Sequence, residues 1–391
     1  MVETHEVIII GGGPSGSLLG YLLAKNGRDV LIIEAHSQVK RKVCGEYLCP
    51  MGVQLLNDLN ISNVLDGFLD IEGMDIYPPS QRRVETNFPE SDLMVNHGKS
   101  VNRQIFDERL IDLAKSAGAK YLMGESVKKI TDHCGHWTLD TLSGKALKSY
   151  LLVGADGRRS LVAKTINATD FNVKSKKVAL LSWVERAKLN DRKGQMHIFK
   201  DGSYIGVDPT GEYEQNVSLV CDPEIIKNHG GALATINHYI QKSNCLHHSI
   251  GHIREDEDIH SITPLVHKVK KFSAKNIALI GDAAGFIDPL TGEGIFNALW
   301  TAKALADNLG QEKVNGPFAA GIKRYNRETK KFFFQKKRLN LFFQWLLKRP
   351  VYIEFIASYL LRAQKKADAF VGIIGNIYRP LNGFLKILVS K

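Results

Sequence analysis

The sequence predicts an α/β protein: a lobe built on a parallel sheet, an antiparallel-sheet lobe interleaved with it, and helices at the C-terminal end. Three observations carry that expectation. EVIIIGGGPSG at 6–16 is an apolar run that breaks into glycines and continues as GSLLGYLLAKNG, a helical pattern. LLVGADGRRS at 151–160 and IALIGDAAG at 277–285 are two more apolar runs, each breaking at glycine and aspartate. Between them, residues 177–221 alternate in four short runs (KVALLSWVER, QMHIFK, SYIGVDP and QNVSLVC), the pattern of antiparallel strands.

The first unit is the most specific. Gly11, Gly13 and Gly16, with Pro14 and Ser15 opening the helix, have the spacing that lets backbone approach a pyrophosphate at a helix N-terminus. The next strand, DVLIIE, ends at Glu34 beside Ala35, placed to accept a ribose hydroxyl. The opening therefore reads as a Rossmann-like dinucleotide site. VNRQIFDERLIDLAKSAGA at 101–119 repeats Ile105, Phe106, Leu110 and Leu113 at helical spacing and stops at Gly118. KYLMGESVKKI, which contains Val127, and HWTLDTL-SG-KALKSYLLVGADG then read as strands around a Ser-Gly turn.

The two later breaks complete the pattern. Asp156 and Asp282 each follow a buried strand, where a carboxylate can hydrogen-bond a chain of hydroxyls while glycines leave room for it. After Gly281 come Pro289, Gly292 and Gly294, and then the run that starts at Ile295. That order puts backbone N–H groups and a positive helix end where an electron-rich ring would need them.

A chain of 391 residues can bury a large core, here as two lobes. The five cysteines (44, 49, 134, 221 and 245) form no CxxC pair and no metal-ligand spacing with histidine. The expectation is reduced thiols, no metal, and a cytoplasmic setting, with no charged leader of a signal peptide. Charge is placed unevenly. Residues 321–391 hold 16 Lys+Arg against 3 Asp+Glu, whereas the rest of the chain balances 36 against 38. The tail thus supplies all of the net +11. Its run RETKKFFFQKKRLNLFFQWLLKRP interleaves Lys/Arg with Phe, Leu and Trp345, with no apolar stretch long enough to span a bilayer. It reads as a basic amphipathic region suited to an anionic membrane surface, giving a peripheral association. The alternative is a pair of helices capping the second lobe. Nucleic acid is not expected as a partner, because Phe and Leu are too dense for a phosphate-tracking surface.

Together the three glycine–aspartate segments resemble FAD-dependent oxidoreductases of the geranylgeranyl-reductase and aromatic-hydroxylase type, over roughly residues 5–310. The resemblance implies a discontinuous FAD-binding lobe at 1–175 (with part of the substrate lobe inserted at about 48–100), a substrate lobe at 176–265, a return at 266–320, and the basic helical region at 321–391. In that scheme Gly11, Gly13, Gly16 and Glu34 hold the ADP half. Arg103, Asp282 and the Gly292–Gly294 turn address the ribityl chain and ring. Arg41 neutralises phosphate or stacks on adenine. KRKVCGEYLCP at 40–50 resembles a Cys-Gly stretch near the flavin, which makes Cys44 a ring neighbour but not a nucleophile. Tyr204 is a candidate cavity residue. Trp183 and His197 receive no role.

The departures choose among branches. Gly206 stands where the reductases often carry tryptophan, which widens the pocket and weakens the case for a prenyl chain. Aromatic hydroxylases usually have histidine in place of Gly285 and glutamine in place of Glu293; this chain has neither. The tryptophan-rich halogenase signature is absent too, as is a second dinucleotide fingerprint, so reducing power would come from transient NAD(P)H or a protein donor. The expectation is reduction of carbon–carbon double bonds in an isoprenoid, lipid-like or polyketide-like substrate. The alternatives are a monooxygenase acting on an aromatic or polyketide, and a flavin-bearing binding protein without turnover.

Overall fold

The computed structural model describes residues 2–90, 94–133, 135–170, 177–185, 192–263, 265–286, 289–310, 312 and 318–389; Cys134 lies outside them. The first strand, Glu3–Ile10, is buried from His5 onward because it is covered on both faces. It runs parallel to Val30–Glu34 on one side and to Ala146–Gly154 on the other. Lys120–Met123 and Ile277–Leu279 extend the parallel set outward. Continuous Val/Ile/Leu runs are what such doubly covered strands require. Each fully buried side chain of this kind contributes roughly 1.5–3 kcal/mol.

The register explains why three distant motifs form one site. Ile10 pairs with both Ile33 and Gly154, and Gly154 with Leu279. Four strands therefore end at one level, and Gly11, Glu34, Asp156 and Gly281 all emerge at that carboxyl edge. Helices Pro14–Lys25, Arg103–Ser116 and Gly294–Leu309 cover the sheet.

The second sheet has six strands, with Val178–Glu185, Glu214–Cys221, Tyr204–Pro209 and Lys193–Ile198 antiparallel in that order. Its last strand, Gly73–Tyr77, pairs parallel to Lys193–Ile198 and enters from the segment before the arginine helix.

The tail forms four helices, Ala319–Leu347, Pro350–Leu360, Gln364–Ile374 and Pro380–Val389. The first spans both lobes. Tyr325 is wholly buried and donates to the Leu279 carbonyl at 2.6 Å, while Leu339, Phe343 and Leu346 pack under the second sheet. This tail is part of the core, which a separable surface helix would not be.

Candidate functional site

The glycine turn is shaped by close backbone approach. A Cβ on Gly11, whose φ is +106°, would lie 2.3 Å from the Ala155 carbonyl oxygen, and one on Gly16 would lie 1.9 Å from the Gly11 oxygen. Gly13 precedes the helix with no side-chain cap, Pro14 occupies the first turn, and a Cβ on Gly13 would meet only the Lys42 ammonium, at 3.8 Å. The helix thus presents free N-terminal amides to open space. Glu34 accepts from the Gly12 N–H at 2.8 Å and the His36 N–H at 3.0 Å. A shallow groove runs from Gly12 and Glu34 past His36 to Lys42 and Asp107. Ala35 is exposed at its edge, and Val127 starts a strand in the hairpin that follows.

The aspartates differ in use. Asp156 accepts from the Leu161 N–H at 2.7 Å and so holds the start of a short helix, while its other oxygen is buried without a hydrogen-bond partner among the described residues. Burial pushes its carboxyl upward. Burial does the same to Asp282, against the opposing pull of Arg158 and Arg103. The Gly281 N–H is fixed by Thr301 Oγ1 at 2.8 Å, and Ser15 packs on Gly281. Pro289 begins the turn that the Gly292 N–H closes at 2.9 Å, and helix Gly294–Leu309 follows with Ile295 buried. Gly292 has φ +62°, and a Cβ there would strike the Tyr47 ring at 2.7 Å.

Arg103 is bidentate on Asp107, at 2.9 and 2.8 Å, and lies against the Cys44 thiol. Burial raises that thiol more than Arg103 lowers it, so Cys44 stays protonated. Arg41 is not at the glycine turn as its place after Glu34 suggested. Its guanidinium binds Glu46 at 2.9 and 2.5 Å and Glu214 at 3.0 and 2.7 Å, and stacks over Trp183 at 4.3 Å. Two carboxylates outbid the turn for it, and Lys42 is the cation beside Gly13. Tyr204 is buried in the cluster beneath the tail helices, not on the cavity wall.

Glu46 escaped the sequence reading. Fully buried at φ +57°, it also accepts from the Trp183 indole at 2.7 Å and the Arg103 backbone N–H at 2.9 Å. Its carboxylate ties the Cys-Gly loop to both lobes. A lone acid in the apolar stretch after Cys44-Gly45 was the only signal.

A family model described as FAD binding domain matches residues 4–335. The chain belongs to that FAD-binding family. It is 24% identical over 383 residues to the menaquinone reductase of Mycolicibacterium smegmatis, covering 95% of this chain and 91% of that one. It is 26% identical to the digeranylgeranylglycerophospholipid reductase of Methanocella arvoryzae, covering 84% of each. Among solved structures, the flavin-dependent brominase Bmp2 superposes with a TM-score of 0.82 at 18% identity, covering 99% and 97% of the two chains. At that identity the likeness is one of fold. The FAD-dependent oxidoreductases therefore include this protein, and the residues present suit the cofactor: uncapped amides at Gly13, an acid at Glu34 beside a groove, and the half-buried Asp282 carboxyl where four strands end.

Proposed function

We propose that the protein uses FAD to reduce a carbon–carbon double bond of a lipid-like substrate, isoprenoid or polyketide-like, with NAD(P)H or a protein donor as reductant. One observation supports this above the rest. An apolar pocket, partly open to solvent, lies between the second sheet and the tail helices. Met74, Ile76 and Met196 line its sheet side, Phe343 and Ile353 its helix side, and Leu290 and Thr291 its edge toward the Gly292–Gly294 turn. Such a slot suits a long hydrocarbon and offers few polar anchors. FAD, when bound, supplies the hydride. The chain's own part is to hold the ADP half at Gly11–Gly16 and Glu34, to align the ring at Pro289–Ile295, and to keep water from the apolar slot.

The tail supports a membrane source for the substrate. Phe342 contacts Trp345 and Phe384 at 6.2 and 6.1 Å, and Trp345 stacks on Tyr352 at 5.5 Å, so three tail helices share one aromatic ledge. Val351, Phe355, Leu381 and Leu388 around it are each at least 69% exposed. Arg349 lies over Trp345 at 4.3 Å. Among the described residues no helix is long and apolar enough to cross a membrane. A cationic apolar ledge of this kind fits an anionic bilayer surface.

The test is product mass. FAD-loaded protein, reductant and extracted lipid should yield a substrate heavier by two hydrogens. A gain of one oxygen would instead favour the monooxygenase reading, and mass spectrometry of any co-purified ligand names the lipid.

A further inference from the structure

Asp208 lies on the cavity-facing side of the second sheet. Ile76 and Met196 pair, Met196 pairs with Gly206, and Gly206 is two residues from Asp208, so all four point to one face. Asn216 and Trp183, paired in turn across from Asp208, continue that face. The sheet face that lines the apolar cavity therefore continues into a polar stretch that holds Asp208, and Tyr47, which faces Asp208, also packs against the Gly292 turn. A Cβ on Gly206 would meet nothing within 4 Å, which leaves open space beside the carboxyl.

The carboxyl is held between two glycines. A Cβ on Gly194 would come within 2.6 Å of Oδ1, and one on Gly45 within 3.9 Å of Oδ2. Oδ1 is buried with no hydrogen-bond partner among the described residues. The groups that face it are Glu46, which repels a second negative charge, and Tyr47, whose hydroxyl is also buried without a partner. The cation on that loop, Arg41, is committed to Glu46 and Glu214. An acid whose Oδ1 has no partner among the described residues, beside open space on the face that continues the apolar slot, is held in its protonated form and has a proton to donate.

We propose that Asp208 is the acid that completes the reduction, and that the reducible double bond is conjugated to a carbonyl; both rest on the reductive reading above. Hydride adds to the β-carbon, and the alkene π pair moves onto the α-carbon and carbonyl oxygen. The Asp208 O–H bond then breaks as the α-carbon takes its proton, and the carboxylate recovers a proton from water. The two electrons come from the reduced cofactor and ultimately from its reductant. Burial, with Glu46 adding to it, pushes the Asp208 carboxyl up to about 7. A carboxylic acid protonates an enolate carbon readily and an isolated alkene hardly at all, which is why a carboxyl in this place points to a conjugated substrate.

Carboxyl carbon-13 NMR of the holoprotein, labelled at aspartate, should show one resonance titrating near 7 that disappears in Asp208→Asn. A wild-type resonance titrating below about 5 overturns the proposal. Given a long-chain α,β-unsaturated ketone and a hydrocarbon of equal length with only an isolated double bond, the enzyme should saturate the ketone alone. Its kcat should fall as pH rises through about 7, where the acid is lost. Asp208→Asn should lower kcat about 100-fold with the visible flavin spectrum retained, and Asp208→Glu should restore part of it. Wild-type rate and pH profile in Asp208→Asn overturn the role of Asp208 and leave the reductive reading standing. Saturation of the hydrocarbon but not the ketone overturns the substrate class. An oxygenated product overturns the reductive reading and the proposal with it.

Discussion

Lys336, on the long tail helix, forms an ion pair with Glu293, the residue between Gly292 and Gly294. Both side chains are nearly buried, at 13% and 9% exposure. The ammonium also reaches Asn376 Oδ1 and lies over the Phe296 and Phe332 rings, while Glu293 accepts from Thr291 Oγ1 at 3.0 Å. One pair thus fastens the tail to the turn expected to face the flavin ring.

Breaking that pair from one side should cost more than removing it. Lys336→Met leaves a buried carboxylate unpaired and should lower unfolding free energy by about 3 kcal/mol in denaturant titrations. Adding Glu293→Gln should recover part of the loss. FAD affinity should weaken in the single variant, because the Gly292 turn loses its anchor. Equal stability of wild type and Lys336→Met would show the pair to be idle.

The glycines separate folding from binding. At Gly16 a methyl meets backbone, so Gly16→Ala should yield little folded protein. At Gly13 the same methyl has room in the protein but stands where a pyrophosphate would lie. Gly13→Ala should therefore keep the far-ultraviolet circular dichroism of wild type and purify without yellow colour. Asp282→Ala should lose colour likewise. A yellow Gly13→Ala protein would place the cofactor elsewhere.

What the sequence made legible was local. A glycine turn after an apolar strand has the same meaning wherever it occurs, so Gly11, Gly281 and the strands before them could be read residue by residue. The meeting of those strands at one edge needed only the parallel-sheet rule. Glu46 was illegible because its partners Trp183 and Glu214's arginine, Arg41, come together only through the fold, with Trp183 137 positions beyond Glu46 in the chain. The two carboxylates that hold Arg41 are illegible for the same reason, since Glu214 lies 173 positions away in the chain. The tail's charge was plain in composition, but its insertion into the first lobe through Tyr325 and Lys336 was not.

Stability against pH should carry two opposed slopes. Burial lowers His197 to about 3, well under an unfolded value of about 6.5. The unfolded chain then binds the extra proton, so stability present above 6.5 is lost as pH falls toward 3, at up to about 1.4 kcal/mol per unit. Asp208 has the reverse sign. Its folded value of about 7 exceeds an unfolded value of about 3.9, so stability is lost as pH rises between them. Asp208→Asn should accordingly stabilise the protein by about 2–4 kcal/mol near pH 8 and little near pH 4. His197→Gln should flatten the acid limb. Denaturant titrations across that range check both, and a destabilised Asp208→Asn at pH 8 would mean that its carboxylate is well solvated.

The membrane expectation needs surface substitutions, because deleting the tail would remove Tyr325 and Lys336 from the core along with the ledge. Val351, Phe355, Leu381 and Leu388 are exposed and make no such contacts, so charge can be placed there without unpacking the lobes. Phe355→Asp with Leu381→Asp removes two apolar anchors and adds two negative charges, and should lower co-sedimentation with anionic vesicles at least 10-fold at low salt. Neutral vesicles should bind less, and salt near 0.1 M should weaken the anionic case, since charges are screened beyond about 10 Å. The double variant should stay yellow, because both substituted side chains are exposed. The same helices line the apolar pocket through Phe343 and Ile353, which puts the ledge and the pocket on one set of helices. If the full-length protein ignores anionic vesicles at low salt, the membrane route is closed and a water-soluble substrate must enter from another side.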